Sequence, residues 1–457
     1  MEKIRKLICD ITPLYRYNVA RGLDESLKRV QTDYPELVIN KYASGSEVWD
    51  WVVPQKWDLK SAYLKCDDNT LFSHVDHPIR VWSGSWPTNR KLSFKELEPH
   101  LFYSEDTPDL LPWSYKYYFH NKGYFGFSLT KKEFESLDQD AEYELDIDAI
   151  FYDDFLTMGT IFLEGTSKKT IIISSCICHP GQANDSLSGL AAALMLYERL
   201  KTEDNRYYSY LFTFQPEMIG TMAYLSQNPE MLSNLQYGIF SEMLGLPGKM
   251  ILQHSLSKNT RIDAVAVNAM LDKYQGDIEC KDFLDNCIVN DELILNHVGI
   301  NVPAIAFNRG TYYEYHTSGD NFDNLNFDLI LDASELMFDV VNRMDQKKYN
   351  TTSYERIPPR ISFANRYEKN LCNESVPNFL PVPFFTGPIF LSKHGLYVDW
   401  QDDPDLNRII EKIMISINGV NTCYDIAKYC GVKAKVVSDY LKKFEEKGLI
   451  RSEEVKV

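Results

Sequence analysis

No stretch of this 457-residue chain approaches the roughly 18 consecutive apolar residues that a membrane-crossing helix needs. That excludes a helical membrane span and argues against a membrane partner. The first residues, "MEKIRKLICDITPLYRYN", carry early positive charge, but Asp10 and Pro13 interrupt the apolar segment and no cleavage-site pattern follows. We therefore expect no secretory leader and a cytoplasmic protein, in which the sequons at Asn350 and Asn373 have no consequence. Regular cysteine spacing is also missing. Nine cysteines, an odd number, form neither a disulfide framework nor a zinc ribbon, which fits reduced thiols. Positive charge is scarce: 48 Lys and Arg against 65 Asp and Glu leave a formal net charge of -17, which excludes a nucleic-acid binder acting through its whole surface. Internal repeats and low-complexity tracts are absent too.

What remains is a globular composition, 44% hydrophobic and 25% charged, on a chain long enough for two to three domains. Aromatic residues reach 13%, which suits well-filled cores. Residues 1–48 read as a helical N-terminal part. Residues 49–154 are rich in Trp, Tyr, Pro and Asp, with short alternating segments such as "KLSFKEL" and "YELDIDAIF"; this pattern predicts a β-rich module that covers or shapes a site built elsewhere. In residues 155–346, apolar β-branched runs alternate with helical patterns, predicting an α/β core with a mixed, mainly parallel sheet sandwiched by helices. Residues 347–400 are irregular and proline-bearing, a linker or wrap, and residues 401–457 break into three helical patterns.

The core concentrates its chemistry at strand ends. "TIIISSCIC" is a continuous apolar run expected of a strand buried on both faces, and the turn after it holds His179 and Asp185, before the helix pattern "SGLAAALMLYERL". "YLFTF" leads to Glu217, "YGIF" to Glu242, and "VPAIAF" to a polar loop with His316, Asp320 and Asp323. Each has a plain structural alternative: a His-Pro turn, an Asp capping a helix, a Glu favoured by a helix dipole. Four strand ends that each present a ligand-type residue nevertheless form a joint pattern, because such sheets place their chemistry at the carboxyl ends of their strands. Competing nucleophiles fit worse. Cys176 and Cys178 sit in an apolar strand, where a free cysteine packs as a small hydrophobe, and Ser188 in "SLSG" lacks a Gly-x-Ser-x-Gly elbow. His74, His77, His254 and His297 read as surface or core residues.

In order and flanks, His179, Asp185 in "NDSLSG", Glu217 in "PEMIG", Glu242 in "EMLG" and His316 in "YHTSGD" resemble the zinc aminopeptidase and glutaminyl cyclase clan. The likeness spans roughly Leu156 to Met344. More narrowly, the chain is similar to a bacterial group of aminopeptidase-like proteins that carry an inserted β module and a C-terminal winged helix. The resemblance implies that His179, Asp185 and Glu242 hold a zinc ion, that His316 joins it or touches substrate, that Glu217 is the general base, and that Asp291 in "NDELILNHVGINVPA" lines the substrate pocket. One departure matters. The clan has two adjacent glutamates, whereas here the pair is Glu217-Met218, and a thioether is a poor zinc ligand beside carboxylates and imidazoles. One zinc per chain is therefore expected instead of two.

The activity implied is hydrolysis of an amide bond in a small peptide or acyl-amide substrate, aminopeptidase-like in kind, by a metal-activated water with Glu217 as base. A second class stays open: a degenerate hydrolase fold serving as a ligand-sensing or DNA-binding regulator. "NTCYDIAKYCG" and "AKVVSDYLKKFEEKGLI" resemble the two helices of a winged helix-turn-helix, with "GLI" leading to a short wing and Ile426, Val436, Val437, Tyr440, Leu441 and Phe444 as its core. Lys433, Lys435, Lys442, Lys443, Lys447 and Arg451 against Asp439, Glu445 and Glu446 make six minus three, a mild net +3 that argues against DNA as the main partner. The sequence leaves a homo-oligomer open.

Overall fold

The computed structural model describes residues 1–116, 123–285, 290–346, 376–399 and 403–454. Its centre is an eight-stranded sheet in the order Val38–Ala43, Phe155–Leu163, Ser209–Gln215, Thr170–Cys176, Leu235–Ser241, Ala304–Asn308, Ile251–Gln253 and Glu279–Lys281. The four middle strands, from Ser209–Gln215 to Ala304–Asn308, are mutually parallel, and antiparallel neighbours flank them on both sides. The sheet is thus mixed with a parallel heart, the α/β architecture expected.

Burial explains why the central strands read as unbroken apolar runs. Every residue of Thr170–Cys176 and Ser209–Gln215 is buried. Ile171 and Ile173 pack with the helices Glu2–Ile11, Arg21–Asp33, Leu187–Leu200, Arg261–Tyr274 and Phe327–Asp345, while Ile172 faces the opposite layer with Ile219–Gln227 and Asp291–Asn296. Alternate side chains serve alternate faces, so both must be apolar.

The N-terminal part is not wholly helical. Val38–Ala43 pairs antiparallel with Phe155–Leu163 as an edge strand of the main sheet, a short element in which Tyr42 is buried on one face and Ile39 packs partly buried on the other. Residues 49–154 hold a separate antiparallel sheet, Asn69–Ser73, Lys56–Cys66, Glu142–Tyr152 and Thr88–Ser93, over its own apolar cluster.

Of the expected linker, residues 347–375 and 400 lie outside the described residues, and so do Asn350 and Asn373. Phe379–Pro383 forms a strand. The C-terminal part has the helices Pro404–Ser416, Cys423–Cys430 and Ala434–Glu446, followed by the strand Ile450–Glu454, which pairs back with Phe379–Pro383. The partner of the last strand therefore comes from the chain before the helices. Val437, Tyr440, Leu441 and Phe444 are buried as expected, but Val436 is 42% exposed. It falls off the stripe that the spacing 437, 440, 441, 444 defines on the helix. This part packs onto the α/β core through Leu256, Phe283, Leu284 and Leu293. Among the described residues, no helix is long and apolar enough to cross a membrane.

Candidate metal centre

The parallel strands deliver their ends to one place. The strand Thr170–Cys176 leads to His179 and Asp185, Ser209–Gln215 to Glu217, Leu235–Ser241 to Glu242, and Ala304–Asn308 to the loop holding His316. His179, Asp185 and His316 come together, each offering a ligand atom within 4.8 Å of the others, and all are largely buried. Asp185 Oδ2 lies 3.0 Å from His316 Nε2 and 3.8 Å from His179 Nε2. Glu217 Oε2 lies 3.6 Å from the same His179 nitrogen.

The turn that carries Asp185 is built by a second carboxylate. Asp320 accepts the main-chain N–H groups of Ala183, Asn184 and Asp185 at 3.1, 2.6 and 2.9 Å and the Tyr312 hydroxyl at 2.5 Å. Arg16, fully buried, reaches the same turn by donating to the carbonyls of Ile177 and Gln182. Behind the turn, Gly189 opens the helix Leu187–Leu200 against the next strand so closely that a Cβ there would stand 2.0 Å from the Ser241 carbonyl oxygen.

Backbone conformation marks the same places. Met218, Met243 and His316 have φ of +57°, +50° and +55°, left-handed values that are uncommon outside glycine and gather at functional sites. The first two follow Glu217 and Glu242 directly. The third is a candidate ligand.

Burial and mutual charge set the protonation of the cluster. Burial opposes a charged His179, but Asp185, Cys178 and Glu217 outweigh it and push the imidazole up to about 10. Burial lifts the Glu217 carboxyl well above the usual range, and burial with Asp185 and Glu217 nearby does the same to Glu242. Asp185 is held below its ordinary value, because the two histidines and Arg16 overcome its burial. Asp185 has its compensation from the histidines and Arg16, but Glu217 and Glu242 remain raised, and a divalent cation beside the two imidazoles would compensate them. The residues present fit such an ion.

Three details lay beyond the sequence. Glu242 was expected beside His179 and Asp185, yet the compact trio contains His316 instead. Glu242 Oε1 is drawn to the Asn290 side-chain amide at the start of the helix Asp291–Asn296. Cys178, read as a core hydrophobe, is buried but polar in its contacts: its Sγ accepts the Glu217 N–H at 3.2 Å and lies 3.7 Å from His179 Nδ1, on the far side of the ring from Asp185. Asp291, expected at the pocket, is fully buried, and its Oδ2 accepts the Cys176 thiol at 3.2 Å. Its charge still reaches Glu217 and Glu242. Met218 packs among apolar side chains.

The other histidines stay apart. His254 pairs with Asp263 at 3.1 Å, His297 is buried with its Nδ1 2.6 Å from the Val298 carbonyl, and His77 sits against Gly181. In the C-terminal part, Lys435 and Lys442 are paired with Asp439, and Arg451 with Glu453.

A family model described as a domain of unknown function, DUF4910, matches residues 5–347. The chain belongs to that family. The match takes in the N-terminal helices and the inserted sheet as well as the α/β core, and ends where the expected linker begins. A Clostridium acetobutylicum protein, provisionally named for polysaccharide biosynthesis with an aminopeptidase-like domain, is 29% identical over 361 residues, 78% of this chain and 80% of that one. A crystal structure from the same organism, provisionally named a peptidase, superposes with a TM-score of 0.70 at 24% identity over 99% of this chain and 96% of its own. A zinc aminopeptidase from Bacillus subtilis superposes with a TM-score of 0.56 at 13% identity, over 76% of this chain and 94% of its own. At such identities the likeness establishes the fold: this DUF4910 chain has the fold of zinc aminopeptidases.

Proposed function

We propose that this protein hydrolyses an amide bond of a small peptide or acyl-amide substrate, in the manner of an aminopeptidase, with one zinc ion per chain. The observation that carries the proposal is the meeting of His179, Asp185 and His316 beside Glu217 at the carboxyl ends of three of the four parallel strands. His179, Asp185 and His316 would hold the ion, with Glu242 as the fourth candidate ligand. Zinc bound there supplies a Lewis acid that polarises the amide carbonyl and acidifies water.

The chain's own residues do the rest. Glu217, whose Oε2 lies beside His179 Nε2, is the base: burial raises its affinity for a proton, the neighbouring His179 and a bound cation favour its ionised form, and as the carboxylate it would accept the proton of the attacking water and return it to the leaving amine. Cys178 and the Glu217 main chain hold each other, which keeps this carboxyl at the edge of the cluster. Asp291 acts from beneath, where its charge favours protonated Glu217.

The charge around the site supports the amine end of a substrate over the carboxyl end. Both terminal nitrogens of Arg16 are committed to main-chain carbonyls, and acidic groups dominate the surroundings. An ammonium group is favoured there and a carboxylate is not. The described cysteines are all free thiols, in keeping with a reducing, cytoplasmic setting.

The experiment is a zinc assay joined to a panel of aminoacyl amides, acyl amides and amides of amino sugars, the last included because of the relative's name. Glu217→Gln should abolish turnover of any substrate found while leaving metal content unchanged. Retained activity would remove Glu217 from its role, and a chain that takes up no metal would remove the hydrolase reading.

A further inference from the structure

The inserted module reaches the centre at two places: His77 and Pro78 lie against Gly181 in the turn between His179 and Asp185, and a second segment meets the loop of His316. Its residues 111–113 run beside residues 316–318 of the core loop. Trp113 N–H donates to the His316 carbonyl at 2.7 Å, Ser318 N–H donates to the Leu111 carbonyl at 2.9 Å, and Leu111 N–H donates to Ser318 Oγ at 3.0 Å. The Trp113 ring then packs against both candidate imidazoles, 4.9 Å from His179 and 5.0 Å from His316 between centroids, at steep interplanar angles of 60° and 80°. Tyr115 stacks on the indole at 4.0 Å and itself lies 5.7 Å from the His316 ring. The indole N–H is fixed on Ser83 Oγ at 2.9 Å, and Ser83 is itself fully buried. The Trp113 ring therefore cannot turn away from the two histidines without breaking its indole N–H bond to Ser83 and its stacking on Tyr115.

The geometry points to Trp113 as a positioning residue: the inserted module completes the centre by holding His316, and through its ring His179, in the orientation that faces Asp185. His316 is where such support is needed. Its backbone is in the left-handed region, which a histidine adopts only when its surroundings dictate it. The Trp113 N–H bonds the carbonyl of that same residue, and the indole face blocks the imidazole from swinging out of line. A ligand's orientation is commonly set by such neighbours, and losing one weakens metal binding even though no ligand has been removed.

The proposal rests on the metal-centre reading above, and the test separates the two. Full-length protein is stripped with a chelator and titrated with Co2+, whose visible absorption reports ligand number and geometry. Trp113→Leu should weaken Co2+ binding about tenfold and alter the absorption bands, while Trp113→Phe, which keeps an aromatic wall, should stay within about threefold of the parent; both keep the main-chain bond to His316, so the difference reads the ring alone. Should the leucine variant fail to fold, Ser83→Ala, which only frees the indole N–H, should show a smaller loss in the same direction. Leu145→Ala, in the apolar core of the module, serves as a control that lowers thermal stability and leaves Co2+ affinity unchanged. If Trp113→Leu and Ser83→Ala both match the parent in affinity and spectrum, the positioning role is wrong and the metal centre stands. If the parent itself takes up no Co2+, the centre is wrong and this role falls with it. If Leu145→Ala loses affinity as Trp113→Leu does, the effect belongs to the fold of the module, and Trp113 has no special part.

Discussion

His316 Nε2 stands 3.0 Å from Asp185 Oδ2, which joins two residues 131 positions apart, the difference of their numbers, into one centre. Neither residue is exposed enough to be a casual surface pair, and Asp185 is pinned from the other side by the hydrogen bonds that Asp320 accepts from its turn. The arrangement predicts that His316→Gln lowers metal affinity by more than about tenfold, since losing a ligand costs at least as much as losing one of its supports. Elemental analysis of the parent should find one zinc per chain. Two firmly bound ions would contradict the single-ion reading that Met218, packed among apolar side chains, supports.

The helix behind the turn is held at a fixed distance by the absence of a side chain. A Cβ on Gly189 would lie 2.0 Å from the carbonyl oxygen of Ser241, which directly precedes Glu242. Backbone cannot give way as a flexible side chain can. Gly189→Ala should destabilise the protein by about 3 kcal/mol, at the upper end of ordinary overpacking, as read from denaturant unfolding. Because the shift separates Asp185 from Glu242, metal content should fall with it. An alanine variant with parental stability would show that the two elements are not in contact in solution.

How much of this was legible in the chain depends on how local each signal is. His179, Asp185, Glu217 and His316 each follow an apolar run, so their place at strand ends can be read from a dozen residues, and their convergence follows once the strands are parallel. Trp113 carries no local sign. Its partners are residues 179, 316 and 83, and nothing in "LPWSYK" distinguishes a residue packed on imidazoles from one in a module core. Cys178 is the buried core residue its apolar strand predicts; what the sequence does not show is that its thiol also meets the Glu217 main chain and His179, because those partners come from the fold. The strand Val38–Ala43 carries a weak sign for a related reason: its two core-packed residues, Ile39 and Tyr42, serve opposite faces of the sheet, so one of each gives no periodicity.

Acid should weaken the fold through His297 as well as through the centre. This histidine is fully enclosed, and burial pushes its imidazole down to about 4 from an ordinary 6.5, with only partial relief from the Val298 carbonyl. In the unfolded chain it protonates at the ordinary value, so between the two values the unfolded state binds more protons. Stability is present above pH 6.5 and is lost as the pH falls toward 4, by about 3 kcal/mol in total. Unfolding free energies measured between pH 7 and 4 should fall less steeply in His297→Gln than in the parent. An unchanged slope would mean that the ring is hydrated in solution.

The junction between the inserted module and the core depends on one buried ammonium. Lys56 is 2% exposed and donates to Asp24 at 2.5 Å and to Asp154 at 2.7 Å; Asp24 belongs to the helix Arg21–Asp33, and Asp154 joins the strands on either side of the module's exit. Thr157 adds a hydroxyl to Asp24 at 2.6 Å. Replacing Lys56 by methionine keeps the length and apolar stem but leaves two carboxylates without their cation, a change that costs about 3 to 5 kcal/mol when one partner of a buried pair is removed. Adding Asp154→Asn to Lys56→Met should recover part of the loss, because the remaining charge then has fewer like neighbours. If the single variant unfolds at the parental denaturant concentration, the pair contributes nothing and the module is held by its apolar contacts alone.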